Sequence, residues 1–576
     1  MLLNLAWAAI DSITGDGINT AAIYHILYGT DGAGYRDYYP LMLKACVVGV
    51  VIEFTIGGLI LFRKSGTGKS PLLQRGVLIA VLMNLGLSPV VVDILRVLRT
   101  GSVARADFEN VYASPYILPH KSVTRPNLVY IYAEGLERTY FDENIFPGLI
   151  RELRELENYA VSFTGITQVE GTGWTMAGIV ASQCGIPLLV PVGAWAGNSM
   201  SGMDAYLPRA KGLSDLLKEN GYHLCYMGGA DIKFAGKDKF LKTHQFDEIL
   251  GREELLPRLE SKKYVNDWGL YDDTLLGIAE KKVEDLSNTQ KPFALFILTL
   301  DTHHPNGNPS RSVLGTKYRD GSDTMLNAVA GSEALIARFI KRLRQSPAGA
   351  NTVIVVASDH LAFNSKATAL MKNSARRNLF MVIPPNQISA EYITTEGSTL
   401  DVASTLLPFL GFRGSIGLGR DLRDKSIDSA ARRRLMEGVN QGVWSKEIMA
   451  LWDFPRLAER IEFDPENESI MIGNRVFKAP ALITLSADGT AMLTFEFDSP
   501  SEYLAKAVGE STILPFILFS TKKQAPSLLG LEYGDNNNWY LIAGSEGKMH
   551  SIIRVDKKQT YTKAQLIAST LAQDKQ

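Results

Sequence analysis

From about Pro126 onward, short apolar runs rich in β-branched and aromatic residues alternate with charged, amphipathic stretches. The runs are Asn127–Ala133, Ala160–Thr164, His223–Met227, Phe293–Leu300, Thr352–Ala357 and Leu379–Ile383. Between them, Ile150–Asn158, Leu213–Asn220 and Ala328–Gln345 carry helical patterns, and Met176–Gln183 reads as a more apolar helix. Strands that are apolar throughout, separated by helices, predict a mostly parallel sheet covered on both faces. Upstream the pattern differs. Leu41–Phe62 and Gly76–Leu95 are apolar over about the 20 residues a helix needs to cross a bilayer. Lys44, Glu53, Pro89 and Asp93 interrupt them, as membrane helices tolerate. The loop between them carries Arg63, Lys64, Lys69 and Arg75, whereas Gly15–Pro40 has only Arg36. The positive-inside rule therefore makes that loop cytoplasmic and sends the chain after Leu95 outside, although Arg96, Arg99 and Arg105 run against this. Met1–Ile10 reads as the tail of another apolar helix rather than a signal peptide, with no basic start and no small-residue cleavage site. From about Pro455 short strands recur, as in Ser469–Phe477, Ala491–Phe497 and Trp539–Ile542, with Asp488-Gly489 as a hairpin turn. The expected organisation is transmembrane helices over 1–100, a linker over 101–125, an α/β domain over 126–454 and a small, mainly β domain over 455–576.

Composition narrows the class. The 576 residues are 46% apolar and carry a net charge of −1. Such a chain has no basic field for nucleic acid as its main partner. Of the three cysteines, Cys46 lies in an apolar run, which leaves Cys184 and Cys225 either to pair or to sit as core thiols. Gly66-Thr67-Gly68-Lys69-Ser70 imitates a phosphate-binding loop, but Arg63 stands where the first glycine belongs. Nucleotide binding is excluded there.

In open α/β sheets, ligands gather beyond the carboxyl ends of the strands. Asn127–Ala133 is followed by Glu134, Phe293–Leu300 by Asp301-Thr302-His303-His304-Pro305, and Thr352–Ala357 by Ser358-Asp359-His360. Ala160–Thr164 leads to Gly171-Thr172-Gly173-Trp174-Thr175 and then the apolar helix. Taken singly, Glu134 reads as a helix-start residue, Thr172 and Thr175 as helix caps, and His303 and His304 as loop residues. Their gathering after strands is the signal. Glu, Asp and His form a mixed oxygen and nitrogen site for Mn²⁺, Mg²⁺ or Zn²⁺. A metal lowers the pKa of a threonine hydroxyl and makes it a nucleophile. A helix N-terminus beside it suits a phosphate, and a histidine on the adjacent loop suits phosphoryl oxygens or the leaving alcohol.

At these residues the chain resembles the sulfatase-like (alkaline phosphatase) superfamily. The likeness is to the branch of lipoteichoic acid synthases and of the phosphoglycerol transferases that decorate osmoregulated periplasmic glucans. It is carried by Thr14–Asn19, Asn127–Phe141, Ala181–Pro187, Phe234–Asp238, Asn266–Gly269, Asp301–Pro305 and Ser358–Leu361, over roughly residues 11–455. The resemblance implies a sulfatase-like sheet sandwiched by helices. It also implies a metal held by Glu134, Asp359, His360 and a threonine, and a covalent phospho-threonine. Spacing to Gly185-Ile186-Pro187 and the Thr172-x-x-Thr175 pattern favour Thr172 as nucleophile and metal ligand, whereas alignment on Gly-x-Gly-x-Thr selects Thr175. Substrate contacts are implied for His303, His304, Lys237 and Trp268. Lys237 stands where the synthases have an arginine, a point charge in place of a bidentate fork. The implied donor is phosphatidylglycerol in the lipid bilayer, the by-product diacylglycerol, and the acceptor a periplasmic glucan. The implied location is the bacterial inner membrane with the catalytic part in the periplasm. Two rivals remain at this point: a phosphoethanolamine transferase of the same superfamily, and an inactive membrane-bound binding protein. No Cys-x-Pro/Ala-x-Arg sequence is present, which argues against a formylglycine sulfatase.

Overall fold

In the computed structural model, the described residues are 108–113 and 125–455 apart from 191–199, 201–204 and 290. Further on they are 457, 460–485, 491–495, 516–521, 537–545, 548–562 and 564–566. The apolar runs 41–62 and 76–95, the linker residues 101–107 and 114–124, and the Asp488-Gly489 turn lie outside them. No helix among the described residues is long and apolar enough to cross a membrane.

The α/β part is built on an eight-stranded sheet. Its strands are β1 (Asn127–Ala133), β2 (Val161–Phe163), β4 (His223–Gly228), β5 (Glu248–Leu250), β6 (Phe293–Leu298), β7 (Thr352–Ser358), β8 (Phe380–Ile383) and β9 (Glu391–Ile393). The order is β5-β4-β6-β1-β7-β8-β2-β9. All neighbours run parallel except at β8, which opposes both β7 and β2. A two-stranded ladder, β3 (Ile166–Thr167) with β10 (Gly397–Ser398), lies apart from it. β1 is central, and its side chains alternate between two cores: Leu128, Tyr130 and Tyr132 enter one, Val129, Ile131 and Ala133 the other. Burial on both faces is why the sequence runs apolar without alternation.

The helix Thr175–Cys184 packs in the first core, and helices Asp272–Asn288 and Thr324–Gln345 pack in the second. The last is capped at its start by Asp323, whose side chain accepts from the Leu326 N–H, and carries Arg342 and Arg344 in its final turn. β7 and β2 run parallel to β1, so the ends of β1, β2, β6 and β7 meet at one edge of the sheet.

Beyond residue 455, two antiparallel sheets follow. One joins β11 (Arg460–Asp464), β12 (Ser469–Ile472), β13 (Arg475–Lys478) and β19 (Gln559–Thr562) in the order β13-β12-β11-β19. The other joins β14 (Ala481–Leu485), β15 (Ala491–Phe495), β16 (Phe516–Thr521), β17 (Trp539–Ser545) and β18 (Lys548–Val555). The expected strand Ser469–Phe477 is thus a hairpin of two strands. Trp452 and Phe463 share one buried cluster with the main sheet, and the Trp452 indole donates to the Leu189 carbonyl (2.8 Å). Trp539 stacks on Phe519 at 4.6 Å, a packing role. Cys184 and Cys225 are buried free thiols.

Candidate active site

Glu134, Asp359 and His360 converge at the ends of β1 and β7, with one potential ligand atom from each within 4.8 Å of the others. All three are at most 2% exposed. His360 Nδ1 lies 2.8 Å from the Leu361 carbonyl, an acceptor, so Nδ1 carries the proton and Nε2 presents its lone pair. Nε2 stands 3.3 Å from Glu134 Oε1 and 3.4 Å from Asp359 Oδ2. Neither Nε2 nor Oδ2 has a hydrogen-bond partner among the described residues. Converging electron pairs in a dry place repel unless a positive charge lies among them. The donor set therefore fits a divalent cation.

With only protons available, burial and then Glu134 push Asp359 up to about 7. Burial opposes charge on His360, but the two carboxylates outweigh it and raise His360 to about 9. Burial also opposes charge on Glu134, yet His360, aided by His303, holds it below the usual carboxylate range.

Backbone and side-chain bonds fix this geometry. Asp359 Oδ1 accepts from the N–H groups of Gly135 (3.0 Å) and His360 (2.9 Å). Thr299 Oγ1 accepts from the Glu134 N–H (3.1 Å), and the Thr302 hydroxyl donates to the Glu134 carbonyl. Glu137 and Arg376 clamp the loops after β1 and β7: Glu137 Oε2 accepts from the Ala362 N–H (3.0 Å), and Arg376 pairs with Glu137 and the Ala362 carbonyl.

The two threonines separate cleanly. Thr175 is the first residue of the helix Thr175–Cys184, and its hydroxyl stands 3.4 Å from Glu134 Oε2. The first N–H groups of that helix have no acceptor within it and sum to a partial positive charge. Thr172 is fully buried. Its hydroxyl donates to the Val169 carbonyl (2.7 Å) and accepts from the Val169 N–H (3.2 Å). Thr172, the threonine that spacing favours as nucleophile and metal ligand, thus closes a turn with its hydroxyl, which spacing along the chain does not reveal. Gly178 explains why the helix sits so close. A Cβ there would lie 1.9 Å from the Asp359 carbonyl oxygen.

The other sequence-predicted residues are His303, His304, Trp268 and Lys237. His303 lies over Trp268 with ring centroids 4.0 Å apart and against His304 at 4.5 Å. Its Nδ1 is 2.8 Å from the His304 carbonyl. His304 meets Phe363 edge-on at 4.5 Å, and Phe363 stacks on His360 at 4.6 Å. Lys237 is 3% exposed, and no carboxylate among the described residues lies within ion-pair distance of it. Burial lowers its pKa to about 8, against the pull of Glu134, Asp231 and Asp359. The buried Trp268 indole N–H also lacks a partner among the described residues. A cationic group and an unused donor facing a carboxylate cluster suit an anionic, hydroxyl-bearing substrate.

Two family models match the chain: Sulfatase, over residues 126–412, and Phosphoglycerol transferase I, N-terminal domain, over residues 1–106. Phosphoglycerol transferase I of Escherichia coli (strain SMS-3-5 / SECEC) is 36% identical over 568 residues, 97% of this chain and 72% of its own length. That of Escherichia coli O127:H6 (strain E2348/69 / EPEC) is 35% identical over the same span. The chain belongs to the phosphoglycerol transferase I family. It is an enzyme, a phosphotransferase of the sulfatase and alkaline phosphatase superfamily. The inactive-protein reading is set aside accordingly. Among solved structures, the lipoteichoic acid synthase LtaP from Listeria monocytogenes is 17% identical, over 52% of this chain and 75% of its own, with a TM-score of 0.40. Streptococcus pyogenes phosphoglycerol transferase GacH in complex with sn-glycerol-1-phosphate is 12% identical, over 61% of this chain and 90% of its own, at 0.38. Likenesses this loose carry no argument.

Sequence reasoning missed the supports of this candidate site. Asp272, the first residue of its helix, accepts from the N–H groups of Leu300 (2.6 Å) and Asp301 (3.2 Å) and from the Ser332 hydroxyl (2.8 Å). Asp301 in turn accepts from the Asp272 N–H (3.0 Å) and the Ser310 N–H (2.9 Å). This buried pair fastens the loop bearing His303. Burial raises both, Asp272 to about 6 and Asp301 well above the carboxylate range. Gln168 likewise accepts from the Leu361 N–H (2.8 Å), tying the β7 loop to the segment before the threonines. A carboxylate opening a helical pattern was the only signal available for Asp272.

Proposed function

We propose that the chain transfers phosphoglycerol from phosphatidylglycerol to a sugar hydroxyl of a periplasmic glucan, releasing diacylglycerol, through a covalent intermediate on Thr175. The carrying observation is the Thr175 hydroxyl, 3.4 Å from Glu134 Oε2 at a helix N-terminus, beside the convergent Glu134, Asp359 and His360. Glu134, Asp359 and His360 would hold a divalent cation, Mn²⁺ or Mg²⁺ in preference to Zn²⁺, which supplies the charge that keeps the Thr175 hydroxyl deprotonated. The names of the relatives support the phosphoglycerol group. The two apolar runs before residue 100 support an inner-membrane protein with its catalytic part in the periplasm, where a lipid donor is within reach.

In the first half-reaction, Thr175 Oγ1 bonds to phosphorus and the bond from phosphorus to the diacylglycerol oxygen breaks. Protonated His303 gives its proton to that departing oxygen. In the second, the sugar hydroxyl attacks the phospho-threonine, its proton passes to His303, and Thr175 is restored. The helix N-terminus and Lys237 face the phosphoryl oxygens. Trp268 and His304 bound the glycerol side.

The test supplies the purified enzyme with phosphatidylglycerol labelled in its headgroup glycerol, or with phosphatidylethanolamine labelled in its headgroup, and fragments the peptide spanning Gly171–Gln183. A labelled glycerol-phosphate on Thr175 is expected. The same mass on Thr172, or label arriving only from phosphatidylethanolamine, would overturn the assignment.

A further inference from the structure

A cavity with none of the candidate active-site residues in its lining lies between the helix Ser429–Asn440 and the segment that enters the α/β part at Phe108–Val111. Its volume is about 530 Å³, and its lining includes Val111, Arg420, Arg432, Arg434, Glu437 and Trp444. Arg432 is 6% exposed. One of its terminal nitrogens, Nη2, donates to the carbonyls of Asp421 (2.6 Å) and Asp424 (3.2 Å). Its Nε and Nη1 are buried and have no partner among the described residues, and the same holds for the Trp444 indole N–H. Among the described residues, Arg420 donates only to carbonyls, those of Gly419 (2.8 Å), Gly417 (3.4 Å) and Val111 (2.6 Å). Asp401, the buried acid behind the two arginines, has its oxygens engaged by the N–H groups of Ser398 and Arg420 (both 2.8 Å). Arg434 is exposed, and so is Glu437, the one acid lining the cavity among the described residues.

A buried guanidinium with two unused donors, beside an Asp401 whose oxygens accept from other groups, has charge-assisted bonds to offer an anion that reaches it. Guanidinium forks match phosphate oxygens. We propose that this cavity binds a phosphate-bearing anion, taken up by Arg432 with Arg434 and the Trp444 indole, against an aliphatic wall that includes Leu435 and Val443. Val111 follows the match to the N-terminal domain, residues 1–106, by only a few residues. If that part lies in the bilayer, the cavity faces the headgroup layer, and an anionic phospholipid headgroup is its natural ligand. Only this last step rests on the proposed membrane attachment.

The experiment uses the full chain in detergent micelles with a chelator present, so that metal-dependent binding at the catalytic edge is silent. Binding of phosphatidylglycerol, phosphatidylcholine and inorganic phosphate is measured for the wild type, Arg432→Gln and Arg434→Gln. Loss of one charge-assisted bond should weaken binding at least about tenfold. Arg434→Gln covers the case in which Arg432→Gln, which loses the two carbonyl contacts, fails to fold. A lipid site predicts phosphatidylglycerol binding that both variants weaken, with little competition from phosphate. A free-phosphate site predicts phosphate binding weakened alike by both. Unchanged affinities in a folded Arg434→Gln, or equal binding of phosphatidylcholine, overturns the proposal. Turnover of a water-soluble glycerophosphodiester, measured without chelator, should be unaffected by Arg434→Gln. Its absence in the wild type would count against the catalytic reading and leave the anion site standing.

Discussion

Thr172 and Thr175 share one short turn, yet only the second hydroxyl reaches the carboxylate cluster. Thr175→Ala is expected to lower turnover by roughly a thousandfold or more while leaving the unfolding midpoint near that of the wild type. Thr172→Ala should do the reverse: stability falls by about 1–3 kcal/mol because Val169 loses a buried partner, and turnover persists. Steady-state assays with thermal melts of both variants distinguish the roles.

Lys237 gives a pH signature. Its pKa in the fold, about 8, is below its ordinary value of 10.5, so between those pH values the unfolded chain binds more protons than the native one. Stability contributed at this residue is therefore lowest below pH 8 and rises as pH climbs from 8 to 10.5. Lys237→Met should stabilise the metal-free protein at pH 7 by an amount on the order of 3 kcal/mol and flatten that rise. Turnover should fall, because the cation facing the substrate is gone. Denaturant melts from pH 7 to 10.5 read the effect, and a rise as steep in Lys237→Met as in the wild type would refute it.

At the level of elements, the site depends on how closely the helix Thr175–Cys184 approaches the loop after β7. Gly178 permits that approach, and a methyl group there collides with the Asp359 carbonyl. Gly178→Ala is expected to destabilise by about 1–3 kcal/mol and to lower turnover by moving Thr175 away from Glu134. Gly277, on helix Asp272–Asn288, has nothing within 4 Å of its added Cβ. Gly277→Ala should be neutral or stabilising by up to about 1 kcal/mol, with turnover unchanged. Urea unfolding of the pair separates a packing requirement from a general intolerance of alanine in these helices.

For the molecule as a whole, a metal held by Glu134, Asp359 and His360 would link its binding to folding. A chelator should abolish turnover, and Mn²⁺ or Mg²⁺ should restore it. A metal at a hundred times its dissociation constant would stabilise the fold by about 2.7 kcal/mol. The thermal midpoint of the wild type is therefore expected to rise with added metal, and that of Glu134→Gln to rise much less. Equal shifts in both would show that the cluster is not the metal site.

Much of this architecture was legible in the chain. β1 and Glu134 could be read directly, because a strand buried on both faces must be apolar throughout and a carboxylate immediately after it is conspicuous. The same logic found Asp359-His360 after β7 and the histidine loop after β6. It did not find β5 and β9, short edge strands whose partial exposure leaves no pattern, nor the reversed direction of β8, because apolar content carries no sense of direction. That the Thr172 hydroxyl closes a turn while that of Thr175 faces Glu134, that Arg432 is buried within a run of three arginines that reads as solvated surface, and that Asp272 braces the His303 loop were decided only by tertiary structure. Hydrogen-bond partners and burial belong to the neighbours brought together by folding, whereas hydrophobic periodicity is a property of the chain itself.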